Sequence, residues 1–165
     1  MSANLTSPNT YYNTYCNQNF EKQTALAVFS TGTNNQQVVP GSNQLVEFSS
    51  PSSSKLDGIT LNPASNVLTL SARGVYLVDF NISVDLPQVE GGQATVAVLI
   101  NGVSKSFDVG YCNNTAPFPS IKLTLKEPIT QNSDTPTTIS FSLSTLVATI
   151  QYRYSQLSII KIGSV

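Results

Sequence analysis

Residues 74–86, GVYLVDFNISVDL, alternate between apolar and polar side chains at every step. In an extended chain Tyr76, Val78, Phe80, Ile82, Val84 and Leu86 fall on one side, and Leu77, Asp79, Asn81, Ser83 and Asp85 fall mostly on the other. A strand with so continuous an oily face needs a second layer to cover it. The same two-residue period recurs in Ala94, Val96, Val98 and Ile100, in Ile121, Leu123 and Leu125, and in Ile139, Phe141 and Leu143. A helix would smear these residues around its cylinder, so the period speaks for strands.

Nine such runs can be parsed, at 24–30, 44–49, 66–72, 74–86, 93–102, 104–110, 120–127, 137–145 and 155–163. Between them sit turn formers such as VPGSN, SSPSSSK, VEGGQ, APFPS and NSDTP. Many short strands with no helical stretch predict an all-β, two-sheet antiparallel jelly-roll sandwich of about nine to ten strands. The clearest hairpin is marked by Asn101-Gly102, a pair suited to a two-residue type I′ turn. Residues 1–22 are polar, with Tyr11, Tyr12 and Tyr15 but no sustained period, and read as an arm preceding a single domain over 23–165.

At 165 residues the chain suits one domain with a sizeable core. Charged residues make up only 10% of it and the net charge is -1, so the surface is kept wet by Ser, Thr, Asn and Gln. Such a surface has no electrostatic footprint for nucleic acid or anionic lipid. The first residues lack the basic start and apolar core of a secretion signal, and no run approaches the roughly 20 apolar residues that cross a bilayer. Synthesis in a cytosol is therefore expected. The sequons beginning at Asn4, Asn81 and Asn113 then read as accidents of composition. Cys16 and Cys112 match no CxxC spacing and read as two thiols, with a disulfide between them as the alternative.

The chain contains no histidine. Ser-His-Asp and Cys-His catalysis, HExxH zinc hydrolysis and imidazole metal sites are thereby excluded. Among the acids, Asp79, Asp85 and Glu90 form the one cluster to weigh. Asp79 and Asp85 stand six residues apart on one strand, about 20 Å by strand rise, too far for a glycosidase pair. No enzyme is expected, and no cofactor. Calcium is the one metal with any candidates: Asp57, Asp108 and Asp134 each lie beside turn residues, but none has a second acid within three positions, and side-chain capping of the turns explains them better. VEGGQ at 89–93 fits no phosphate-binding pattern and reads as a loop.

Four stretches, ALAVFS, GVYLVDFNISV, VAVLINGV and SQLSIIKIG, carry a family likeness in both content and order. Over residues 24–163 the chain resembles the C1q/TNF-like jelly-roll superfamily, and within it the C-terminal domains of bacterial collagen-like, spore-surface proteins. It departs from them in having no Gly-x-y stalk and no signal peptide in the sequence given. The resemblance implies a homotrimer in which the first and last strands meet around a three-fold axis.

The residues lend this some support of their own. Leu157 and Ile159 lie on one face of the last strand and Ile160 and Ile162 on the other, while Leu26 and Val28 alternate with Ala27 and Phe29. A strand apolar on both faces of a two-layer sandwich has one face left to cover. Leu26, Val28, Tyr152, Tyr154, Ile160 and Ile162 are accordingly the expected oligomer interface, with a pentamer as the alternative symmetry. The expected role is that of a trimeric head on the exterior of a virion (minor capsid, vertex or fibre head) or a spore-like particle, held to underlying particle proteins by residues 1–22. The alternative is an adhesin for a host receptor or glycan, with Tyr111, Asn113 and Asn114 in the ligand loop.

Overall fold

The structure, a computed structural model, describes residues 26–30, 36–48, 53–55, 58–86, 92–111 and 120–165. These form strands β1 (Leu26–Ser30), β2 (Gln36–Val38), β3 (Asn43–Leu45), β4 (Ser53–Lys55), β5 (Ile59–Asn62) and β6 (Val67–Leu70). The longer strands follow: β7 (Gly74–Asp85), β8 (Gln93–Ile100), β9 (Val103–Tyr111), β10 (Ser120–Gln131), β11 (Thr137–Thr145) and β12 (Ile150–Gly163). All pairings are antiparallel, and no helix occurs among the described residues.

One sheet runs β10-β7-β12-β1-β4 with β2 beside β12; the other runs β5-β6-β11-β8-β9 with β3 beside β11. This is the expected jelly-roll sandwich. Its twelve described strands exceed the nine read from periodicity because β2, β4 and β5 have only three or four residues each, too few to establish a period. The residues of the 1–22 arm, like Cys16, Cys112, Asp57, Glu90, Asn113 and Asn114, lie outside those described.

The two sheets meet through their alternating faces. β7 is buried at every second residue, and Tyr76, Val78, Phe80, Ile82 and Val84 pack inward against Val96, Val98, Ile139, Phe141 and Leu143 of the opposite sheet. An aromatic cluster joins the layers: Phe80 stacks on Phe141 with ring centres 4.2 Å apart, and Phe48 meets both edge-on at 5.9 Å. Such geometries suit the ring quadrupoles. The β8-β9 hairpin turns at Asn101 and Gly102 with φ of 52° and 77°, the left-handed pair that the type I′ turn requires. Asn101 also anchors the neighbouring strand, since its Oδ1 accepts the Thr138 N–H at 2.8 Å.

One sequence expectation is corrected. Tyr152 belongs to the core, 1% exposed, with its hydroxyl accepting the Glu47 N–H at 3.2 Å. The cause is a β-bulge: Tyr152 pairs with Val84 but Tyr154 pairs with Ser83, so one residue of β12 is left over between them. The extra residue reverses the alternation. Tyr152 therefore points inward with Leu157 and Ile159, although it shares its numerical parity with the outward Tyr154.

Candidate functional site

The outward face of the β10-β7-β12-β1 sheet divides into two halves. Toward one end a polar ladder crosses β7 and β10: Ser83 and Ser120 hydroxyls lie 2.8 Å apart, Thr124 Oγ1 donates to Asn81 Oδ1 at 3.0 Å, and Lys126 Nζ stands 3.5 Å from Asp79. Asn81 Nδ2 also donates to Asp79 Oδ1 at 3.1 Å. Toward the other end the register sets Leu77 opposite Ile160, and Ile160 in turn opposite Leu26. Leu77 and Ile160 are half-buried, while Ile162 and Tyr154 are 49% and 52% exposed. Val28 stands opposite Ser158 in the same pairing. Of the six expected interface residues, β1 and β12 thus bring Leu26, Val28, Tyr154, Ile160 and Ile162 to one sheet by register, and the Tyr152 side chain is withdrawn into the core.

The acidic residues are engaged otherwise than as a catalytic pair. Asp79 faces Lys126. Asp108 has both oxygens on backbone donors, Oδ1 on its neighbour Val109 N at 2.9 Å and Oδ2 on Thr124 N at 2.8 Å. Asp134 pairs with Arg73 at 2.8 Å in the open. No group of three or more Cys, Asp or Glu residues placed to hold a metal occurs among the described residues. No helix among them is long and apolar enough to cross a membrane.

The Asp108 contact belongs to a seam along one side of the sandwich, where the edge strands β9 and β10 of the two sheets meet. Ser106 Oγ donates to Glu127 Oε2 at 2.9 Å, and Gly110 sits so close to Ile121 and Leu123 that a Cβ there would lie 2.2 Å from Ile121 Cδ1. At the hairpin end of this seam lies a groove of about 450 Å³, with Ile100, Val103 and Ile129 as its apolar part and Asn101, Lys105 and Thr130 among its polar part. Gln131 is buried beside it and organises the β10-β11 turn, donating to Ser133 O at 2.9 Å and Thr135 O at 2.8 Å and accepting from the Thr137 hydroxyl. Lys105 is the one ionisable residue of the groove, so no acid–base pair converges there.

Because β9 uses Ser106, Asp108 and Gly110 in the seam, its other face looks outward. Phe107 and Tyr111 are 68% and 65% exposed, with Val109 half-buried between them. Tyr111 is therefore the end of a strand and not part of a loop. Phe107 and Val109 escape a reading of the sequence because alternation shows which residues share a face and not which face is wet.

No family model matches the chain, and no curated protein matches it. Among solved structures, the Eiger TNF structure from S. frugiperda matches with a TM-score of 0.60 and 12% identity, over 87% of this chain and 96% of that one. Murine APRIL matches with a TM-score of 0.53 and 10% identity, over 82% of this chain and 98% of that one. At such identities the likeness is one of architecture: the chain has the jelly-roll fold of TNF-type domains.

Proposed function

We propose that this chain is a non-enzymatic head domain that assembles as a homotrimer and is displayed on the exterior of a virion or spore-like particle. The observation that carries the reading is the apolar end of the outward β10-β7-β12-β1 face. Leu77, Ile160 and Ile162 there, with Tyr154 farther along, are large side chains that the chain's own second layer leaves uncovered. Full burial of such a side chain from water is worth about 1.5 to 3 kcal/mol, and these, already partly covered, contribute about half of that each, repeated in every subunit. The ladder of Asp79, Asn81, Ser83, Thr124 and Lys126 is cross-linked within the chain, which lowers the cost of bringing it to an interface, with the exposed Lys126 ammonium left at the wet rim.

The low charge and the Ser-, Thr- and Asn-rich surface support exposure on a particle, and the TNF-type fold supports the trimeric head. The test is light scattering of the purified chain at micromolar concentration. A mass three times that of the chain is expected, and Ile160→Asp is expected to give monomer or aggregate. A stable monomer, or a trimer indifferent to Ile160→Asp, would overturn the assignment.

A further inference from the structure

The outward row on β9 lies on the opposite side of the sandwich from the proposed assembly face. Phe107, Val109 and Tyr111 stand on one face of the part of β9 that follows its bulge, four residue steps from first to last, about 13 Å at strand rise. Register places them beside Ala97, Thr95 and Gln93 of β8, which is followed by the serines of β11. None of these outward neighbours is charged, and β9 carries a single cation, Lys105, at its bulge. Gln93 Nε2 donates to Thr95 Oγ1 at 3.2 Å, which leaves the Thr95 hydroxyl as a donor toward solvent.

Three features together select the occupant. The row is aromatic, it is linear, and it is flanked by hydroxyls and amides without charge. A protein partner needs on the order of 1,200 Å² of interface with an apolar centre, and a row one strand wide at a sheet edge supplies no such centre. A nucleic acid or an acidic polysaccharide needs several cations, and β9 offers only Lys105, at the end of the strand away from Tyr111. An uncharged polyhydroxylated chain matches all three: the C–H faces of two non-adjacent sugar rings lie on Phe107 and Tyr111, the rings between them pass over Val109, and their hydroxyls exchange hydrogen bonds with Thr95 and its neighbours.

We propose that the outward face of β9 and β8 is a binding platform for a linear neutral polysaccharide, with Phe107 and Tyr111 as its stacking residues. The inference rests on the assembly reading only in that trimerisation through the other sheet leaves three copies of the row exposed, so that weak single contacts gain from avidity.

The test is native electrophoresis of the full chain through gels containing amylose, linear β-1,4-mannan or linear β-1,3-glucan, with alginate as the acidic probe and light scattering of the same samples. Retardation by at least one neutral polymer, persisting at high salt, is expected. Phe107→Ala and Tyr111→Ala should each weaken it about tenfold, equivalent to about 1.4 kcal/mol, and Phe107→Trp should retain it, all with unchanged oligomer mass. Absence of retardation by any neutral polymer, retardation by alginate alone, or binding indifferent to both alanine variants would overturn the platform. A trimer that binds none of these polymers removes the platform and leaves the head domain; a monomer that binds removes the trimer and leaves the platform.

Discussion

Tyr152 shows how much one buried side chain can say about conditions. Burial pushes its phenol from the ordinary value of 10.0 up to about 12, with the Glu47 backbone hydrogen bond lowering it and the Glu47 charge raising it further. Because the folded value lies above the unfolded one, this contribution is complete below pH 10 and is lost as the pH climbs toward 12, where the unfolded chain sheds the proton first. The melting temperature should therefore fall across that window, by the equivalent of about 2 to 3 kcal/mol for this group. Tyr152→Phe should flatten the alkaline fall in a pH series of thermal melts. The aromatic cluster contributes more: Phe141→Ala removes the ring stacked on Phe80 and touching Phe48, and should cost about 3 to 5 kcal/mol in denaturant unfolding.

At the scale of elements, β9 and β10 behave as a hem that closes one side of the sandwich. β10 is an edge strand, which is why it carries Pro128 in its middle; a proline has no N–H to give a second neighbour. Asp108 reaches across from the other sheet to the Thr124 N–H, and a hydrogen bond to a charged group is worth about 1.5 to 3 kcal/mol. Asp108→Ala should lower stability by about 1 to 2 kcal/mol, allowing for solvent at the edge. It should also speed hydrogen exchange at the Thr124 amide more than at amides of the central strand β7. Gly110→Val tests the same seam sterically, since any side chain must displace Ile121 and Leu123; thermal melts should register about 1 to 3 kcal/mol of overpacking.

For the whole molecule, the prediction is that the chain has two working faces, one for its copies and one for the world outside. Removing residues 1–22 should leave the number of subunits per particle by light scattering at three if assembly resides in the sandwich, while Ile160→Asp should give monomer or aggregate. A fivefold mass would keep the face and change the symmetry. The sequence by itself determined the sandwich, because a two-residue period over Gly74–Asp85, Gln93–Ile100 and Thr137–Thr145 permits only extended chain with one covered face. It also determined the β8-β9 hairpin, since Asn101-Gly102 accepts the left-handed backbone that the turn imposes. Only the tertiary structure decided which side of β9 is wet and where Tyr152 goes. Alternation is blind to both: at an edge the polar side can be the inner one when it bonds to another edge, and a single bulged residue turns every later side chain of its strand to the opposite face.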